Sequence, residues 1–380
     1  MTTELSISLN PATLEGSEVK RDLPPGFVEA EEDAGHYDRT TLWYDAFWRN
    51  GRLVLVTPTL FNLETHFING DFTVDGRPVR PKRIDRRRAH DELWFHVRDR
   101  PARVELRIGT ERFSSAVAGC EDSDFFKGLN TLVVLQRDND LVWIRDFLIY
   151  HREMHGLQAV LFFDNMSRSY DLEAFARAIE DAGISKGMIV PAPFHYGKYG
   201  RTASGQPDWR GHSMQAALLN VARLRLLRRA RAVLQCDIDE LVWCKGGGSI
   251  FDMTRRHPLG YVHFPESWRY ARTEAGKLPL HSDHRWVRER HERCPPKWCI
   301  WPRGPLRWAS WDVHKLHGLG MRKWQLGRRA GAWHLRQLST RWKAFEDRKS
   351  LPDDLMLDTR IDAQFRRVPF PDTETGEEPP

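Results

Sequence analysis

Between about residues 40 and 120, apolar and polar positions alternate with a period of two in short bursts, "RLVLVTPTLF", "GDFTVDGRPV", "ELWFHVRD" and "ARVELRIG". Alternation at that period turns one face of a strand to a core and the other to water. Asn50-Gly51 and Asp75-Gly76, pairs that accept the positive φ of tight hairpin turns, separate bursts. The pattern predicts antiparallel hairpins and a small, all-β, sandwich-like domain over 36–125, with no catalytic cluster in it.

From about residue 130 the rhythm becomes strand, helix, strand, helix, which predicts an α/β domain with a mainly parallel sheet over 126–350. "TLVVLQ" is a buried strand, followed by Ile144, Phe147, Leu148 and His151 at helical spacing until Gly156. "AVLFFD" is the second strand, and Asp171 caps a helix carrying Leu172, Phe175 and Ile179 that Gly183 closes. "GMIVPAP" is the third. A helix with Met214, Leu218, Val221 and Leu224 on one face precedes the fourth, "AVLQCD". Residues 1–35, polar and rich in Glu, Pro and Gly, predict a disordered start; 351–380 predict an extension ending in the disordered acidic tail "PDTETGEEPP".

At 380 residues and 41% hydrophobic, the chain can bury a large core. The net charge of +6, from 58 basic against 52 acidic residues, is too even for a dedicated nucleic-acid binder and leaves phosphorylated ligands or peripheral contact with an anionic membrane open. The one dense basic run, "RPKRIDRRR" at 80–88, reads as a solvated loop. Cys120, Cys236, Cys244, Cys294 and Cys299 form neither an even framework nor a CxxC pair, which predicts a reducing compartment; Cys294 and Cys299, with His291, lack the usual zinc spacing. The start has no basic, apolar leader and no stretch approaches a membrane span, so the expected location is cytoplasmic.

Candidate chemistry sits in "LQCDIDELVW". Side chains two apart on a strand point the same way, so Asp237 and Asp239 are expected to aim carboxylates into one pocket with Ile238 toward the core. Such a pair suits Mg²⁺ or Mn²⁺ with positions left for a diphosphate. The same spacing recurs at Asp122 and Asp124 and at Asp138 and Asp140, but only Asp237 and Asp239 end an uninterrupted apolar strand. Strand C-termini are where open α/β sheets bind ligands.

"LQRDNDLVWIRDFLIYHREMHGLQAVLFFDNMSRSY", "CDIDELV", "WDVHKLHG" and "AWHLRQLSTRWKAFEDR", in that order over residues 130 to about 350, resemble family 92 and related family 2 glycosyltransferases. The resemblance implies a GT-A fold, Rossmann-like and typical of nucleotide-diphospho-sugar transferases. It implies metal-dependent transfer of a sugar from a nucleotide-sugar donor to a glycan or other hydroxyl acceptor, with inversion. It places Arg137 and Asp138 in the nucleotide pocket with Asp164 and Asn165, Asp237 and Asp239 on metal and diphosphate, and His314 as a late metal or phosphate ligand. "QRDND" departs from the relatives' Lys or Arg followed by Asn-Glu, which bears on Asp138.

Plainer readings stand beside these. Arg137 and Asp138 can pair at a strand end, Asp164-Asn165-Met-Ser is ordinary turn composition, and His151 reads as a hydrogen-bonded core histidine. His314 and His317 would face one site if helical. His334 and Lys343 can neutralise phosphate or sit in a Trp-rich helix packed on the sheet. Glu266, after the next strand, is the first candidate base and Asp312 the second. Two alternatives use the same residues: a metal-dependent phosphoryl transferase or phosphoesterase, and a non-catalytic carbohydrate-binding protein.

Overall fold

The strand-helix rhythm is realised in a computed structural model that describes residues 2–5, 7–28, 37–197, 200–208, 210–274, 276–290, 292–317, 329–340 and 351–371. Nine strands make the central sheet: β1 (Thr2–Glu4), β2 (Asn130–Gln136), β3 (Ala159–Asp164), β4 (Lys186–Pro191), β5 (Ala232–Gln235), β6 (Glu240–Cys244), β7 (Tyr261–Arg269), β8 (Arg293–Ile300) and β9 (Ala330–Leu335). Their order in space is β1-β4-β3-β2-β5-β8-β7-β9-β6. The first five run parallel; β8 opposes both β5 and β7, β9 runs parallel to β7, and β6 opposes β9.

Parallel neighbours need crossovers, and helices supply them. They are α1 (Leu141–His155), α2 (Leu172–Asp181) and α3 (Ser213–Val221), the last running into a wider turn over Ala222–Leu226. Two more, α4 (Ile250–Arg256) and α5 (Thr359–Phe365), come later. The expected caps form: Asp140 accepts from the Val142 amide at 2.9 Å, Asp171 from Ala174 at 2.7 Å, and Gly156 ends α1 at φ 66°.

Strand alternation splits the side chains between two cores. Leu132, Val134, Val160 and Phe162 face α1 and α2 with Phe147 and Phe175, whereas Val133, Leu135, Leu161 and Phe163 face α3 with Met214 and Leu218. Each such side chain contributes on the order of 2 kcal/mol by leaving water.

The expected sandwich forms as two four-stranded sheets. One holds Asp45–Arg49, Arg52–Pro58, His90–His96 and Arg83–Arg86; the other holds Asp71–Val74, Arg77–Val79, Arg103–Ile108 and Glu111–Ala116. Leu53, Leu55, Phe72, Leu93, Phe95 and Leu106 fill the space between them. Both hairpin turns have the predicted geometry, with φ 49° and 75° at Asn50-Gly51 and 48° and 76° at Asp75-Gly76. The outer face of the first sheet is not solvated: Val54, Val56 and Trp94 join the α3 core. Across that seam Arg225 reaches Asp45 at 3.0 Å and Asp122 at 2.8 Å.

The expected disorder of 1–35 is corrected, and the 351–380 extension is ordered ahead of its acidic tail. In the 1–35 segment, β1 pairs in parallel with β4, Leu9, Ala12 and Leu14 are buried, and the buried Arg21 donates to the Thr41 carbonyl at 2.7 Å. Backbone pairing and one buried guanidinium hold a stretch whose composition is polar. In the 351–380 extension, Leu355–Leu357 pairs with Trp286–Arg288, and α5 buries Ile361 and Phe365 in the α1–α2 core. The final residues, 372–380, lie outside the described residues, as do 29–36. Among the described residues no helix is long and apolar enough to cross a membrane.

Candidate active site

From β2 the chain winds outward through β3 to β4, and α3 then carries it back to place β5 on the other side of β2. The strand order therefore reverses between β2 and β5, the position at which open α/β sheets bind ligands beyond the C-terminal strand ends. Val133 lies opposite Gln235, the last residue of β5, so β2 runs on past the point where the chain leaves β5.

The acidic motif follows β5. Cys236 to Asp239 have left the strand, which corrects the expectation of two strand residues pointing one way: they form a tight turn that Glu240 closes. The Asp237 amide donates to Glu240 Oε2 at 2.7 Å and the Glu240 amide to the Asp237 carbonyl at 3.0 Å. The turn sends the two aspartates to different partners. Lys297 on β8 puts Nζ 3.0 Å from Asp237 Oδ2 and 3.1 Å from Glu240 Oε2. His334 puts Nε2 3.1 Å from Asp239 Oδ2.

His334 is held by the sheet. It stands opposite Glu240 and beside Trp268 in the strand register, and its ring lies 4.0 Å from the Trp268 ring, centre to centre. The Leu335 amide donates to the Asp239 carbonyl at 2.7 Å, and His281 bonds the Ile238 carbonyl at 2.9 Å. Beneath the ring, the buried Glu266 has Oε2 3.5 Å from His334 Nδ1. The alternative of a Trp-rich helix through His334 is not what forms: the residue lies on β9, an interior strand whose backbone is paired on both sides. Lys343 lies outside the described residues.

Burial, then the Glu266 charge, pushes the Glu240 carboxyl up to about 8, and burial also raises Glu266. Burial opposes the charge on Lys297, but the Asp237, Glu240 and Glu266 carboxylates outweigh it and raise the ammonium well above its ordinary value. Burial likewise opposes a charged His334, and the Asp239 carboxylate outweighs it. The site thus gathers four carboxyl groups around one ammonium and one imidazole.

These residues fit a divalent cation. Ligand atoms of Asp239, Glu240 and His334 lie within 4.8 Å of one another, and the buried Glu266 carboxylate faces the other nitrogen of the His334 ring at 3.5 Å. A set of oxygens with one imidazole suits Mn²⁺ better than Mg²⁺, which takes oxygen almost exclusively. Asp237 is the carboxylate that Lys297 already neutralises.

His314 is not in this group. It is exposed on a hairpin formed by Ser310–Trp311 and Leu316–His317, not on a helix, and its Nδ1 is 3.3 Å from the Pro296 carbonyl. Protein packed along part of the ring, then the Lys297 charge, holds its pKa below the ordinary value. His317 turns away to pair with Asp312, which Arg88 also approaches at 3.6 Å. Burial resists, but His317 holds the Asp312 carboxyl below its usual range, a poor setting for a base. Glu266, the other candidate base, lies behind His334 and is placed to orient that ring.

Around the end of β2, Arg137 and Asp138 pair at 3.6 Å. Asp138, in the left-handed region at φ 51°, accepts from the Arg168 amide at 2.6 Å and from Ser169 at 3.0 Å. Burial works against its charge, yet those amides hold its pKa below the ordinary value. Asp164 accepts from Ser167 Oγ at 2.6 Å, and Asn165 donates to the Ala192 and Phe194 carbonyls at 2.7 and 2.8 Å. Asp138 and Asp164 therefore brace the turn after β3, and Asn165 ties it to the chain after β4. His151 is buried on α1, with Nδ1 2.9 Å from the Phe147 carbonyl, the core histidine expected.

Sequence reasoning missed Lys297 and gave Glu240 no role. Lys297 carries no motif, and its strand holds two prolines and an Arg-rich flank, so nothing in the chain marks it as buried. No protein-family model matches the chain, and comparison with curated proteins finds no match.

Proposed function

We propose that the protein is a metal-dependent glycosyltransferase on a GT-A fold, moving a sugar from a nucleotide-sugar donor to a hydroxyl acceptor. One observation carries the reading. The Asp237–Glu240 turn opens at the reversal point of a parallel sheet, and a histidine from a distant strand completes an oxygen and nitrogen donor set there. Asp239, Glu240 and His334 would hold the cation, with Glu266 behind them. When bound, the cation supplies positive charge for the departing diphosphate. Lys297 keeps Asp237 from repelling that diphosphate, Trp268 and Glu266 fix the His334 ring, and the braced turn after β3 with Arg137 borders the nucleotide side. The chain resembles family 92 and related family 2 glycosyltransferases at these same segments, which supports the reading and the expectation of inversion.

A thermal-shift panel of nucleotide sugars with and without Mn²⁺ tests it. A donor that binds the folded state raises the midpoint by mass action, and the rise should need both donor and metal. No shift with any nucleotide sugar in saturating Mn²⁺ overturns the proposal.

A further inference from the structure

At the opposite edge of the sheet lies a second cavity, of about 890 Å³, between the first sheet of the sandwich, the turn after α3 and the loop that leaves β8. β8 runs antiparallel to β5, with Ile300 opposite Val233, so its following loop emerges at the N-terminal ends of the parallel strands, away from Asp239. Eight arginines line the cavity against two acids, Asp85 and Glu92. That surplus of six (8 − 2) equals the net charge of the whole chain, +6.

The arginines divide into two sets. Arg83, Arg87 and Arg223 are anchored by Asp85 and Glu92, and Arg229 by Asp124. Arg49, Arg228, Arg303 and Arg307 have no carboxylate partner among the described residues. Burial and then the neighbouring Arg228 press Arg49 down to about 10. Trp94, on the first sheet of the sandwich, forms an apolar part of the lining. Trp308 stands 54% exposed at the same cavity and presents a flat face. Arginines from three separate segments line the cavity, and a guanidinium matches the forked geometry of phosphate oxygens better than a point charge.

We propose that this cavity is a second anion site, taking a ligand with two or more condensed phosphates. Its size bounds a compact phosphate chain, not an extended polymer. The phosphates can belong to a soluble polyphosphate or to the diphosphate headgroup of a lipid. The proposal does not rest on the glycosyltransferase reading.

Calorimetry of the full chain in chelator should show tripolyphosphate and pyrophosphate binding and orthophosphate binding far more weakly. Arg303→Gln with Arg307→Gln, both on the exposed loop, should weaken tripolyphosphate by about tenfold or more, since two charge-assisted contacts are lost. The same variant should leave the Mn²⁺-dependent nucleotide-sugar shift unchanged, and Asp239→Asn should leave tripolyphosphate binding unchanged. Sedimentation with phosphatidylcholine vesicles, with and without an isoprenoid diphosphate lipid, identifies the source: diphosphate-dependent sedimentation assigns a headgroup, none assigns a soluble ligand. Absence of tripolyphosphate binding in chelator, equal binding by the arginine variant, or loss in Asp239→Asn overturns the proposal. So does displacement of tripolyphosphate by a DNA oligonucleotide at matched phosphate concentration, which would make the cavity part of a polymer groove.

Discussion

Asp237 and Asp239 are two residues apart and chemically unequal, because the turn hands one to Lys297 and the other to His334. Removing Asp239 deletes a cation ligand, whereas removing Asp237 frees an ammonium. Asp239→Asn should therefore abolish the Mn²⁺-dependent donor shift and transfer while folding normally, and Asp237→Asn should keep metal binding with weaker donor binding. Equal losses in both would show that the aspartates act as one pair. Lys297→Met should cost about 3 kcal/mol, as it leaves the Asp237 carboxylate without its buried ammonium partner; urea unfolding measures it. His334→Ala should eliminate the Mn²⁺ response, and His314→Ala, with a ring outside the donor cluster, should leave most of it. The acidic motif was legible in the chain because an apolar strand leads into it. Its division of labour was not, since that depends on which strands β8 and β9 lie beside.

At the scale of elements, local rules were sufficient where local forces decide. The strand-helix units from 130 to 235 and the two Gly-ended hairpins follow from periodicity, caps and positive-φ turns. Elements held by distant partners were not legible. β1 is three polar residues that pair because β4 offers an open edge, and α5 belongs to a stretch whose polar composition hides three buried apolar residues, Ile361, Phe365 and Val368. Arg269 on β7 fixes that helix through Asp358, both buried, with Nε 3.0 Å from Oδ2. Asp358→Asn strands a buried guanidinium and should destabilise by about 3 kcal/mol, and truncation after residue 350 should cost more because it also opens the α1–α2 core. Chemical denaturation of both checks this. A truncated chain as stable as the full one would return 351–371 to the category of loose extension.

Across the whole molecule the buried titrating groups fall into two sets of opposite sign, which together shape stability against pH. Glu240, with an ordinary value of 4.5, is pushed to about 8 by burial and by Glu266, so the fold keeps a proton that the unfolded chain releases. Its contribution is full below 4.5 and is lost as pH rises through about 8; the raised His334 acts in the same direction. Burial lowers His155 and His281 to about 4 and His284 to about 3, from 6.5, so the fold keeps these rings neutral. Their contribution is full above 6.5 and is lost as pH falls toward those values. Below 6.5 the buried neutral imidazoles, His151 with them, outnumber the raised Glu240 and Glu266 carboxyls, and above it the raised Glu240 and His334 set the slope. In chelator the melting midpoint should therefore peak near pH 6.5 and decline on both sides. Saturating Mn²⁺ needs Glu240 and His334 free of protons, so it should raise the midpoint most at pH 8 and flatten the alkaline decline. Melting curves from pH 5 to 8 in both conditions decide it. A chelated protein whose midpoint climbs steadily from 6.5 to 8 would mean that Glu240 is ionised in the fold and that its burial is balanced by Lys297 alone.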